Sequence, residues 1–163
     1  MNSRIVSTVC VLAALLVAGC QKNQTITSQA TWAEPTQPVT ILRDLHGNDT
    51  GFTQPGVFII DSRKALEESG SVQLSELNIN FDSEMAVVLA LGEQNTTGYW
   101  ARITGMQIGK SGALYVQGIA NKPDNSAAAT KSVTYPIDAV VVNKVSVPEV
   151  HPEIQSVVGQ TMK

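Results

Sequence analysis

Met85-Ala86-Val87-Val88-Leu89-Ala90-Leu91 is an unbroken apolar run of strand length, closed by Gly92. With no polar residue at every second place, it reads as a strand buried on both faces. Tyr99 to Ile108 suits a strand with Tyr99, Ala101 and Ile103 on one face and Trp100, Arg102, Thr104 and Met106 on the other. Lys110-Ser111-Gly112 is then a turn, and in Ala113 to Ala120 Leu114 and Val116 alternate with Tyr115 and Gln117. Asn121 to Lys131, with Pro123, Asp124, Asn125 and three alanines, reads as a mobile loop. A last apolar run, Ile137 to Val145, follows Tyr135-Pro136, whose proline must open the strand or lie on an edge.

Upstream of the first run the signals are shorter. Val39 to Leu42 and Val57 to Ile60 are β-prone, and Asp44 to Gly51 reads as a polar, glycine-containing loop between them. Ser62 is an N-cap for a short helix through Glu68 that ends at Gly70. Leu74 and Leu77 fit either a further helical turn or an extended packing segment. The whole predicts a mainly β chain: a single antiparallel β-sandwich or barrel-like domain with one or two short helices over residues 39–147, and an extended tail at 148–163.

Composition narrows the function. A chain of 163 residues suits one domain, and 43% hydrophobic against 15% charged residues argues against disorder throughout. Aromatics are only 5%, so the core must be aliphatic and a groove of stacked aromatic rings is not expected. A net charge of −3 argues against nucleic acid as a partner, because phosphate binding needs a clustered basic surface.

The N-terminus reads as an export signal at residues 1–19. Arg4 precedes an apolar run from Ile5 to Val17 that is short for a membrane span and of the right length for a secretory h-region. Leu16-Val17-Ala18-Gly19-Cys20 resembles the bacterial lipobox, which implies a diacylglyceryl thioether on Cys20 and cleavage before it. A lipidated Cys20 would then hold the protein in the bilayer by its acyl chains, palmitate among them. Gln21 in place of Asp after the cysteine resembles the outer-membrane sorting pattern, so the expected address is the outer membrane, facing the periplasm. Cleavage leaves 144 residues with ten basic and fourteen acidic side chains and no second cysteine, hence no disulfide, thiol nucleophile or cysteine-based zinc site. Residues 20–38, rich in Gln, Asn, Thr, Ser and Pro, read as a tether in which Trp32 is the conspicuous residue.

Chemistry-bearing patterns fail one by one. Gly105-Met106-Gln107-Ile108-Gly109-Lys110-Ser111 has three residues between its glycines where a P-loop needs four, and a strand follows it. Asp44, His46, Asn48 and Asp49 invite a calcium reading, but Asp49 stands where an EF-hand loop needs glycine and Pro55 where it needs glutamate. His46 and His151 lie in no catalytic setting, and the acid pairs Glu67-Glu68 and Asp82/Glu84 read as solvated residues near element ends. The expectation is no enzyme, no catalytic residue, no metal and no cofactor. Three glycosylation-type triplets, at Asn23, Asn48 and Asn95, carry little weight beside a bacterial lipobox.

One arrangement stands out. Phe81-Asp82-Ser83-Glu84-Met85 opens the first strand, Gly92-Glu93 closes it, and Asn95-Thr96-Thr97-Gly98-Tyr99-Trp100 leads into the next, with Tyr135-Pro136 and a Val-rich strand behind. That series, from Phe81 to Lys144, resembles the PrcB-like domain, the C-terminal type of the protease-complex subunit PrcB, in bacterial envelope lipoproteins. The resemblance implies protein binding rather than catalysis, with an envelope protease as the partner that it stabilises. Thr97-Gly98-Tyr99 stands where that family commonly has two glycines before the tyrosine, and threonine does not reach positive φ as cheaply as glycine. The same six residues also resemble the N-P-T-T-G-Y/F loop of chagasin-like inhibitors of papain-type peptidases, without its proline and without a later Arg-Pro-aromatic loop. Either resemblance makes Asn95, Thr96, Thr97, Gly98, Tyr99 and Trp100 the expected partner-binding residues, since a glycine-permitted turn presents two aromatic anchors. A structural or small-molecule-binding envelope module is the remaining reading.

Overall fold

The computed structural model describes residues 36–124 and 130–160. The signal segment, Cys20, Trp32 and the tether up to residue 35 lie outside the described residues, as does the centre of the loop after Lys122. The chain runs β1 (Thr36–Pro38), β2 (Ile41–Asn48), β3 (Pro55–Ile60), α1 (Arg63–Ser69), α2 (Val72–Glu76), β4 (Glu84–Leu91), β5 (Gln94–Thr96), β6 (Trp100–Gly109), β7 (Leu114–Lys122), β8 (Lys131–Thr134), β9 (Pro136–Asn143) and β10 (Val150–Val158). These strands form two four-stranded sheets, β1-β6-β7-β10 and β2-β9-β4-β3, and a two-stranded ribbon, β5-β8. The fold is mainly β, and its sheets pack as a sandwich rather than closing into a barrel.

The unbroken apolar runs follow from layering. Ala86, Val88 and Ala90 of β4 and Ile137, Ala139 and Val141 of β9 pack under Leu66 of α1 and Leu74 of α2. Met85, Val87 and Leu89, with Val140 and Val142, pack instead against Ala101, Ile103, Met106, Leu114 and Val116 of the second sheet. A sheet covered on both sides has no polar face to alternate with, which is why β4 and β9 carry almost no charge. Pro136 opens β9, the position where a missing N–H costs the ladder nothing. Both helices are capped as their sequences demand. Ser62 Oγ accepts from Ala65 N–H at 3.2 Å and Gly70 ends α1 at φ 66°; Ser71 does the same for α2 from Leu74 N–H at 3.1 Å. The open choice at Leu74 and Leu77 falls to a helical turn.

Four expectations need correction. Asp44 to Asn48 is no loop: these residues continue β2, paired along β9 with His46 opposite Asp138. Only alternate residues of this edge strand lean on the core, so its other side is polar and reads as a turn by composition alone. Met106 does not share a face with Trp100 and Arg102. A bulge between Ile103 and Gly105 inserts one residue, Thr104, and brings Met106 onto the buried face with Ala101 and Ile103. The chain at 148–163 is extended as expected, but Val150–Val158 belongs to the domain as β10, parallel to β7 where every other pairing is antiparallel. Leu114 N–H donates to Glu149 O and Gly159 N–H to Lys122 O, so odd-numbered residues of β10 face β7 and even-numbered ones face the free edge. Pro152 is even-numbered, and its missing N–H therefore removes no bond from the sheet. Finally, Thr36–Pro38, the end of the expected tether, pairs with β6 as β1.

Candidate functional site

Asn95 to Trp100 leads from the β5-β8 ribbon into β6. Gln94 and Thr96 pair with Thr134 and Lys131, and Thr134 Oγ1 donates to Thr96 O at 3.1 Å. Thr97 is held twice by one residue: its N–H donates to Thr130 O at 3.0 Å, and its Oγ1 accepts from Thr130 N–H at 3.1 Å. The non-glycine residue with positive φ among the described residues is Asn78, so Thr97 keeps ordinary backbone geometry and bears no strain for replacing a glycine. Gly98 cannot be replaced so easily. Its φ is 92°, and a Cβ there would stand 2.9 Å from Pro123 Cβ.

Asn95 and Gly98 are exposed, while Tyr99 and Trp100 are each half-buried. The indole of Trp100 donates to Gln160 O at 3.0 Å, and Asn121, buried opposite it on β7, donates to Gly98 O at 3.2 Å. Beside the ribbon, Tyr135 Oη donates to Glu93 at 3.1 Å, and this hydrogen bond to a carboxylate raises the phenol above its ordinary pKa. The six residues are thus one fixed turn, held by hydrogen bonds from β7, β8's approach and the end of β10.

A second polar cluster, absent from the sequence-based expectations, lies between the sheets. Asp138 is fully buried on β9, where its carboxylate accepts from the backbone N–H of Ile103 on the other sheet and meets His46 Nδ1 on β2. The other ring nitrogen of His46 lies 3.0 Å from the exposed carboxylate of Asp44. Burial pushes the Asp138 carboxyl above its ordinary pKa, opposed by the Ile103 N–H, His46 and the charge of Arg102. The available signal was one acid inside the apolar run Pro136 to Val142. A charge in a strand covered on both faces has to be paired.

The remaining candidates separate. Asp49 is buried and spent on structure, accepting from Gly51 N–H, Ser71 Oγ and Gln73 N–H at 2.9, 2.6 and 3.1 Å. It therefore does not join Asp44, His46 and Asn48 in a loop, and among the described residues no group of three or more His, Cys, Asp or Glu side chains is disposed to hold a metal. Glu84 is paired through both oxygens with Arg43, which with Asn80 N–H lowers its pKa. His151 stacks on Tyr115 with ring centres 4.9 Å apart, on a different sheet from His46. Gly109 to Gly112 is a turn between strands, closed by Gly112 N–H to Gly109 O at 3.0 Å.

Residues 85–143 match the family model described as PrcB C-terminal. This segment is PrcB-like. Comparison with curated proteins and with solved structures found no match. The PrcB-like segment begins in β4 and ends with β9, so it contains the Asn95 to Trp100 turn, the ribbon, Asn121 and Asp138. His46 and Gln160 lie outside it, and both polar ties therefore bind the matched segment to chain that flanks it.

Proposed function

We propose that this protein is a non-enzymatic binding module of the bacterial envelope, lipid-anchored through Cys20 at the outer membrane, and that it holds a protease-associated envelope protein through the Asn95 to Trp100 turn. The PrcB C-terminal match over 85–143 carries this reading, because the matched segment contains the turn. Its geometry supports the same use. A turn fixed before binding loses little entropy on association, and two half-buried aromatic side chains adjoin its exposed residues Asn95 and Gly98.

The test is capture from envelope extracts with the full chain as bait. Wild type should recover one envelope protein from the membrane fraction, Cys20→Ala should shift the bait to the soluble fraction, and Gly98→Val with Tyr99→Ala should reduce recovery. A thermal melt of the double variant separates lost binding from lost folding. Wild type that inhibits papain at micromolar concentration would replace this reading with the chagasin-like one. Recovery unchanged in a folded double variant would remove the turn as the contact surface.

A further inference from the structure

Asn121 is 2% exposed and uses both halves of its side chain. Nδ2 donates to Gly98 O at 3.2 Å, and Oδ1 accepts from Gln160 N–H at 3.0 Å. Trp100, its cross-strand partner on β6, donates its indole N–H to Gln160 O at 3.0 Å. One cross-strand pair thus grips both polar backbone groups of residue 160, and Gly159 N–H to Lys122 O at 2.9 Å closes the junction. Gly159 takes φ 70°, which turns the chain into this grip at the end of β10.

The geometry points to Asn121 and Trp100 as a clasp through which the end of β10 positions the Asn95 to Trp100 turn. A carboxamide donates on one side while accepting on the other and carries no charge, so its two bonds orient one another. When residue 160 leaves, buried Oδ1 loses its partner, the amide turns to find another, and Gly98 O loses its donor. Docking of residues 159–160 and the conformation of the turn are then one equilibrium. The end of β10 is its weak side: Val158 is 66% exposed on the sheet's outer strand, and Gly159 and Gln160 follow beyond that strand's end. By linkage, whatever grips the docked turn tightens β10 by the same factor, and whatever peels β10 away loosens the turn. The coupling bears on function through the turn's proposed role as contact surface, on which it rests in that respect.

Hydrogen exchange on the full chain tests the clasp without a partner. Gly159→Pro removes the N–H given to Lys122 and cannot take φ 70°, so it releases residues 159–160 at an exposed position. The amides of Thr97, which donates to Thr130 O, and of Trp100, which is paired with Asn121, should then exchange at least about ten-fold faster, while those of β4 and β9 keep their wild-type rates. Trp100→Phe keeps an aromatic ring and loses the bond to Gln160 O, and should speed exchange at Gly159 and Gln160, reading the coupling in the other direction. Turn amides at wild-type rates in Gly159→Pro, or faster exchange confined to the mutated side in both variants, would overturn the clasp. A loosened turn with undiminished partner recovery would leave the clasp standing and sink the turn as contact surface.

Discussion

Asp138 and Asn121 are both buried polar side chains, and each holds backbone of another strand, yet they differ in charge and in place. Asp138 sits between the two sheets, where its carboxylate ties Ile103 of one to β2 and β9 of the other. Asn121 sits near the end of β7 and ties only the turn and the end of β10. A buried carboxylate responds to protons and a carboxamide does not. The comparison teaches that the two ties serve different ends: one joins layers and answers to pH, the other shapes a surface turn and is indifferent to pH.

The sharpest break would come from Asp138→Ala, which strands the Ile103 N–H inside the core and removes the partner of His46 Nδ1, leaving that ring only Asp44. A loss of about 3 kcal/mol, on the order of 10 °C in Tm, is expected in a thermal melt. Asp138→Asn keeps an acceptor for Ile103 and a donor for His46 Nδ1, and should stay within about 1 kcal/mol of wild type. Burial raises the folded Asp138 pKa above its usual 3.8, so the folded state holds this proton more tightly than the unfolded chain does. Its contribution to stability is therefore complete below 3.8 and is lost as pH rises through the folded value. Urea unfolding across that window should show this decline in wild type and not in Asp138→Asn. An asparagine variant as damaged as the alanine one would mean that the charge itself holds the sheets.

Asn121→Ala should cost less, about 1 kcal/mol, because it removes two neutral hydrogen bonds at the end of the sheet and leaves no charge unpaired. Its urea midpoint should fall by the same amount at every pH, and a pH-dependent loss would erase the contrast with Asp138. Smallest of all is Glu84→Gln, which loosens the ion pair with the partly exposed Arg43. Because Arg43 and Asn80 lower the Glu84 pKa, its stabilisation is present above 4.5 and lost as pH falls through the folded value. The variant should differ little from wild type at neutral pH and should lack that part of the acid limb.

Much of this was legible before the structure. The β4 and β9 runs, the proline that opens β9, both caps of α1 and the turn at Gly98 each obey a local rule about burial or backbone freedom. The ends of the domain were harder. β2 and β10 are edge strands with one side against the core, so Asp44, His46 and Pro152 read as loop or tail. The bulge at Thr104 is one inserted residue, and no period in the sequence announces where a ladder slips. Asp138 was visible as a lone acid in an apolar strand, but its meaning depends on His46, 92 residues earlier, and on a backbone N–H that carries no residue signature.

From the sequence alone follow the β-rich class, the doubly buried strands, the short capped helix and the glycine-dependent turn. All of these are set by hydrophobic period and by the φ a residue can take, which are properties of neighbours along the chain. Tertiary structure alone decided that β10 runs parallel to β7, that Met106 turns inward, that Asp138 ties two sheets and that residue 160 is gripped beside the turn. Each of these depends on which hydrogen-bonding groups lie opposite one another across distant segments, and strand register is a choice the core makes collectively.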